Sequence, residues 1–334
     1  MKFILNSLIL LCSMLIGTGS YAGAKKDPLA SWNDGQIKTN IINFVTAATT
    51  KNSPTYVAPA DRIAVFDNDG TLWVEQPIYT QVIFALSKIK ELAPQHPEWR
   101  NEEPFKAIIN DEPSLTKMNL QDFEKVIAVS HSGMSVADFQ KELREWLAVA
   151  KNQHFNQLYT ALVYQPMLEV MNYLRANDFK VYIVTGGGQD FVRAFAHATY
   201  GVSSEQVIGS TTKTKFVYKN GKPALIKLPE VLFVDDSAGK PQAINLFIGK
   251  KPLIAFGNSD GDQQMLEWTQ SGSGKSLMLL VHHDDATREF AYDTESKVGT
   301  FSVALMDEAR QSGWQVISMK QDWKVIFPFA SPKH

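Results

Sequence analysis

The chain of 334 residues is 44% apolar and 20% charged, with a formal charge of −2, which is ordinary for a globular protein able to bury a sizeable core. No long basic run is present, so nothing favours nucleic acid or an anionic membrane as its main partner. Its one cysteine, Cys12, excludes an internal disulfide and a cysteine metal cluster.

At the start of the chain, Lys2 precedes an apolar stretch densest from Leu8 to Ile16, and Gly17, Gly19, Ser20, Ala22 and Ala24 follow. A basic start, a short apolar centre and small residues at a cut form the pattern of a cleaved secretory signal. The apolar run is too short to span a bilayer comfortably. Residues 1–22 are therefore expected to be a signal peptide, cut after Ala22 or Ala24. The protein would be exported, periplasmic or secreted, with no membrane attachment after cleavage. Leu11 is not the small residue that a lipoprotein anchor needs before Cys12.

Ile37, Ile41, Phe44 and Val45 recur at helical spacing, and Pro54 and Pro59 end the pattern. The run Ile63 to Phe66 is short, apolar and followed by acid and glycine. Val181 to Val184, Val231 to Val234, Leu253 to Phe256 and Leu277 to Val281 repeat that form. Such runs read as buried parallel strands. Helical patterns between them, such as Met167 to Ala176 and Asp190 to Ala198, predict an α/β doubly wound parallel sheet.

The stretch 75–165 lacks strand signals. It carries helix starts at Asn119 with Asp122 and at Ser135 with Asp138, and apolar faces from Trp99, Phe105, Phe123, Phe139 and Trp146. It reads as an inserted helical domain, with residues 23–74 and 166–334 forming the core. An insert there would overhang the carboxyl ends of the strands, where ligands bind in such sheets. Asn220-Gly221 marks a hairpin near Lys215 to Leu228, and Lys213, Lys215, Lys219 and Lys222 around it read as a solvated face. Trp314, Trp323 and Phe327 read as packing.

Four segments could carry chemistry. In Asp67-Asn68-Asp69-Gly70-Thr71, directly after a strand, alternate side chains face one side. Two carboxylates that close repel unless a cation or a proton lies between them, and Mg²⁺ takes oxygen ligands of this kind. A calcium loop is excluded by Leu72 and Ile78 at its sixth and twelfth positions; a plain polar turn is the alternative. In Thr185-Gly186-Gly187-Gly188, between a strand and a helix, backbone amides can approach an anion, although structural turns of this composition are common. Ser237-Ala238-Gly239-Lys240 precedes a helical stretch; a single lysine gains meaning only from its company. Gly257-Asn258-Ser259-Asp260-Gly261-Asp262 offers oxygen side chains at alternate positions, or a solvated turn.

Taken in order, these segments resemble the haloacid dehalogenase (HAD) superfamily of phosphohydrolases, near its phosphoserine-phosphatase-like members, over about residues 60 to 280. The resemblance implies a HAD-like Rossmannoid core with a helical cap and a Mg²⁺ cofactor, acting on a small phosphorylated substrate. It implies Asp67 as nucleophile, Asp69 as acid and base, and Lys240 as the neutralising cation. Thr71, Thr185 and Gly186 would serve the phosphate side. Asp67, the Asp69 carbonyl, Asn258 and Asp262 would serve the metal side, with Asp262 behind Asn258 or on Lys240. Members usually carry Gly-Asp where this chain has Gly257-Asn258, so a neutral amide stands at a metal position. Phosphotransfer to another acceptor and a silent metal-binding module are the alternatives; a dehalogenase would not need Asp69. His282 and His283 point to opposite faces of a strand end, which suits contact with substrate or cap better than a shared metal. Substrate identity and oligomeric state stay open.

Overall fold

The structure, a computed structural model, describes residues 27–111 and 120–330. The expected signal peptide and Asn119 lie outside these residues, as does the Phe123 side chain. Helix α1 (Gln36–Thr49) buries Ile41, Val45 and Ala48 on one face and leads to β1 (Ile63–Phe66), which is buried throughout.

After β1 the chain leaves the sheet. Helices α2 (Thr80–Leu92), α3 (Phe105–Ile109), α4 (Leu120–His131) and α5 (Val136–Leu147) follow. Ser135 caps α5, its hydroxyl accepting from the Asp138 amide at 3.1 Å, which satisfies one of the free donors of the first turn. Ala85, Ile89, Trp99, Phe105, Ile108 and Val126 form a separate small core within this insert. The insert also contains strands where none was expected. Lys151–Asn152 (β2) pairs with Gln157–Leu158 (β3) in a two-residue antiparallel ladder.

Helix α6 (Gln165–Ala176) returns the chain to β4 (Lys180–Gly188). Two short helices, α7 (Gln189–Arg193) and α8 (Ala196–Tyr200), replace the single one expected there. The remaining elements are β5 (Val207–Lys219), β6 (Lys222–Phe233), α9 (Gly239–Ala243), β7 (Ile254–Gly257), α10 (Gln263–Gln270), β8 (Leu277–His282), α11 (Val303–Ser312), β9 (Gln315–Ser318) and α12 (Met319–Asp322). The seven-stranded sheet runs β6-β5-β4-β1-β7-β8-β9. Every neighbouring pair is parallel except β5–β6. Along β1, Ile63 and Val65 enter one apolar cluster while Ala64 and Phe66 enter the other, as the period of two requires. The sheet is thus buried on both faces, as a parallel sheet flanked by helices should be.

Val231 to Val234 is not a buried parallel strand. It is the far end of the antiparallel β5–β6 hairpin, with Val231, Leu232 and Val234 at least half exposed. The turn residues Asn220 (φ 53°) and Gly221 (φ 73°) have the paired positive angles of a tight hairpin, and the ladder they start runs through residue 233. Strand β5 also pairs in parallel with β4 at its first residues, so the expected hairpin is the continuation of a core strand. Strand β9 lies inside the segment assigned to packing alone.

The hairpin meets the insert. Gly133 N donates to Lys227 O at 3.0 Å and Lys227 N to Met134 O at 2.9 Å. The Lys227 ammonium reaches Asp190 at 2.5 Å.

Candidate active site

Parallel register places Phe66, Ile183 and Phe256 side by side, so the residues that follow leave from one edge of the sheet. Asp67 N donates to Phe256 O at 2.9 Å, and the Thr71 and Leu72 amides donate back to Asn68 O. The chain closes into a tight loop there, with Gly70 at φ 73°. Glycine tolerates that angle without steric cost, and any Cβ on Gly70 would run into Asn258 and Glu75.

Lys240, at the start of α9, lies almost fully buried between two carboxylates. Its ammonium is 2.7 Å from Asp67 Oδ1 and 2.5 Å from Asp262 Oδ1. Burial works against its charge, but Asp262 and Asp67 outweigh burial and raise its pKa. Burial pushes the Asp67 carboxyl well above the usual range against the pull of Lys240, and the charges of Asp262 and Asp69 add to the push. Asp262 Oδ2 accepts from the amides of Asn258 (2.9 Å) and Ser259 (3.1 Å), part of a capping box with Ser259. Asp262 therefore holds both the lysine and the turn that carries Asn258.

Asp69 is partly exposed and accepts the Trp73 indole N–H at 2.8 Å. Burial raises its pKa, and the bonds from Trp73 and Asn68 oppose that rise. Thr71 donates to Asn258 Oδ1 at 3.1 Å, and Asn258 Nδ2 donates to Glu75 Oε1 at 2.8 Å. Glu75 Oε1 also accepts from the Tyr292 hydroxyl at 2.6 Å. Burial raises the Glu75 pKa well above normal against that Tyr292 bond, and Asp69 and Asp67 raise it further.

The glycine-rich residues continue β4 rather than forming a separate loop. Thr185 is fully buried, and its Oγ1 accepts from Gly187 N at 3.0 Å. Its hydroxyl proton is thereby left to donate. Gly188 N donates to Gln81 Oε1, on α2, at 2.7 Å, which ties the insert to this turn. Two of the turn amides are thus engaged by side chains, and Gly186 lies beside them next to Asp236.

The side chains suit a divalent cation. Asp67 and Asp262 flank Lys240, Asp69 follows Asp67 in the same loop, and Glu75 bonds Asn258; burial is the main cause of the raised pKa values of Asp67, Asp69 and Glu75. Among the described residues no group of three or more His, Cys, Asp or Glu stands ready to hold a metal.

Asp260 Oδ1 accepts from Ser302 N, on the C-terminal segment, at 3.0 Å. His283 packs against the end of the insert, its ring 6.0 Å from that of Tyr164. Its ring is buried, with Nε2 2.7 Å from Gly70 O and Nδ1 3.1 Å from Glu289 Oε2; His282 packs against Phe301. Glu75, Trp73, Gln81 and Tyr292 were not anticipated. For Glu75 a signal was present: it is a lone acid ending the apolar run Leu72-Trp73-Val74, and charges in buried runs are rarely idle. Among the described residues no helix is long and apolar enough to cross a membrane.

Residues 64–267 match the family model for haloacid dehalogenase-like hydrolases. No curated protein matches the chain. A conserved protein of unknown function from Anaerococcus prevotii DSM 20548 superposes with a TM-score of 0.58 at 17% identity, over 88% of this chain and 94% of that one. A protein of unknown function from Bordetella pertussis Tohama I gives 0.46 at 16% identity, over 77% and 98%. A phosphoserine phosphohydrolase-like protein from Francisella tularensis subsp. tularensis SCHU S4 gives 0.37 at 15%, over 66% and 88%. At these identities the first likeness concerns the fold alone, and the scores of the other two are too low to add to it.

Proposed function

The chain belongs to the haloacid dehalogenase-like hydrolase family, and from that premise we propose that it is a magnesium-dependent phosphomonoesterase acting on small phosphorylated metabolites. The observation that carries this reading is the buried Lys240 ammonium held between Asp67 and Asp262, with Asp69 alongside.

Asp67 attacks phosphorus, and the bond from phosphorus to the leaving oxygen breaks. Asp69, whose raised pKa favours a held proton, gives that proton to the leaving alkoxide. The products of this half are the free alcohol and an aspartyl-phosphate. Asp69 then takes a proton from water, the water oxygen bonds to phosphorus, and the acyl-phosphate bond breaks. Inorganic phosphate leaves and the Asp67 carboxylate returns. Lys240 and the Thr185 hydroxyl offset charge on the transferring group throughout, and such preorganised charge usually supplies most of the acceleration. Mg²⁺, held by Asp67, the Asp69 carbonyl and Asn258, would supply further charge neutralisation when bound. The insert acts as a cap that restricts water and selects the substrate.

Chain lacking residues 1–22 should release nitrophenol from p-nitrophenyl phosphate with Mg²⁺, and Asp67→Asn should not. Silence across a panel of phosphate esters would sink the reading. The protein is also proposed to be exported, on the pattern at residues 1–24. Protein recovered from periplasm or medium should begin at Gly23 or Lys25; an intact Met1 there would count against cleavage.

A further inference from the structure

Glu75 is a buried carboxylate with no role in the steps above. It is 2% exposed, and its Oε1 accepts only from neutral donors, Asn258 Nδ2 and the Tyr292 hydroxyl. Burial works against a charge on it, a cost of several kcal/mol unless a cation close by compensates it. The surroundings are nevertheless shaped to keep it. Gly70 and Gly299 both have positive φ, and a Cβ on either would strike the Glu75 carboxyl. Tyr292 is held in turn by the His283 ring stacked on it at 4.3 Å, and His283 bonds back to Gly70 O.

The partner of Glu75 explains the arrangement. Asn258 stands where the metal side needs an oxygen, yet an amide brings no charge. A carboxylate is acceptor-only, so it faces the amide nitrogen and turns Oδ1 the other way. That oxygen accepts from Thr71, the loop residue beside Asp69, and has a second lone pair to offer.

We propose that Glu75 is a positioning residue for the metal side of the site, supplying from behind Asn258 the negative charge that Asn258 lacks and fixing the Asn258 amide with Oδ1 toward the cation. This rests on the magnesium-dependent reading above. Neighbours of metal ligands commonly act this way, and their loss typically costs about 10–100-fold in metal affinity.

The test is Mg²⁺ binding to chelator-treated chain lacking residues 1–22, followed by calorimetry and by the rise in Tm on adding Mg²⁺. Glu75→Gln keeps an acceptor for Asn258 and Tyr292 but removes the charge. Its Mg²⁺ affinity is expected to fall by about 10–100-fold and its Mg²⁺-induced Tm rise to shrink, while its metal-free Tm is unchanged or higher. The double variant E75Q/N258D returns a carboxylate on the other side of the same hydrogen bond and is expected to recover most of the lost affinity. Wild type and Glu75→Gln binding Mg²⁺ equally would overturn the inference and leave the phosphatase reading standing. A double variant as weak as Glu75→Gln would overturn the charge exchange. Wild-type protein that neither binds Mg²⁺ nor turns over any ester would overturn both.

Discussion

The Trp73 indole N–H donates to Oδ1 of Asp69 at 2.8 Å, four residues away in the same loop, so the carboxyl assigned to proton transfer is oriented by a ring fixed in the core. That ring stacks on Phe195 at 4.6 Å. Trp73→Phe keeps much of the stacking and removes the donor. The indole bond opposes the rise in the Asp69 pKa, so its loss raises that pKa further. The descending limb of kcat/KM against pH, which follows the protonated acid, is expected to move to higher pH. At neutral pH, turnover should still fall about tenfold because the carboxyl loses the bond that orients it, roughly the worth of one hydrogen bond. A pH–rate profile of the variant decides it.

Lys240→Met should be costly before any substrate is added. It leaves Asp67 and Asp262 buried without their shared cation, and breaking a buried pair from one side costs about 3–5 kcal/mol. Urea unfolding of metal-free protein measures this. Mg²⁺ should restore part of the stability by offsetting Asp67, and turnover should stay lost.

Gly299→Ala should impair a site whose first aspartate lies far away in sequence. The residue has φ +64°, and an added methyl would enter the Glu75 carboxyl. Lower Tm and weaker Mg²⁺ binding are expected together. Gly274→Ala, where nothing stands within 4 Å of the added carbon, is the control and should change neither.

His131 sets an acid limit on the insert. It is buried between Phe84 and Phe139. Burial, with smaller contributions from Lys227 and Lys88, lowers its pKa from 6.5 to about 3. The unfolded chain therefore binds the proton first as pH falls. Stability is full above pH 6.5 and declines below it, by about 2 kcal/mol at pH 5. His131→Phe should lose that slope between pH 6.5 and 5 in urea titrations, while other groups keep theirs.

The residues assigned from sequence to the chemistry meet in the fold because their placement follows a local rule. Asp67, Thr185 and Asn258 each lie at the end of an apolar run, and parallel strands bring such ends together. Lys240 was readable only through its company, and that company is now physical. Contacts without a local pattern were not readable. Asn258 and Glu75 are 183 residues apart, and Gly70 and His283 are 213 apart. Val231 to Val234 misled for a different reason. Aliphatic density is the same in a buried parallel strand and at the end of an edge hairpin, and only the ladder started by Asn220-Gly221 separates them. Strand β9 was hidden by its flanking tryptophans, Trp314 and Trp323, which do pack the core.

The strap from His283 to Gly299 lies beyond residue 267, where the family match ends, yet it grips the loop that begins at Asp67. A polypeptide made from its N-terminus therefore displays its acidic loop long before the grip for it exists. Contacts that distant are slow to form. The nascent chain is expected to stay chemically silent until Gly299 has been made, and a fragment trimmed at residue 267 would lack strands β8 and β9 as well as that grip.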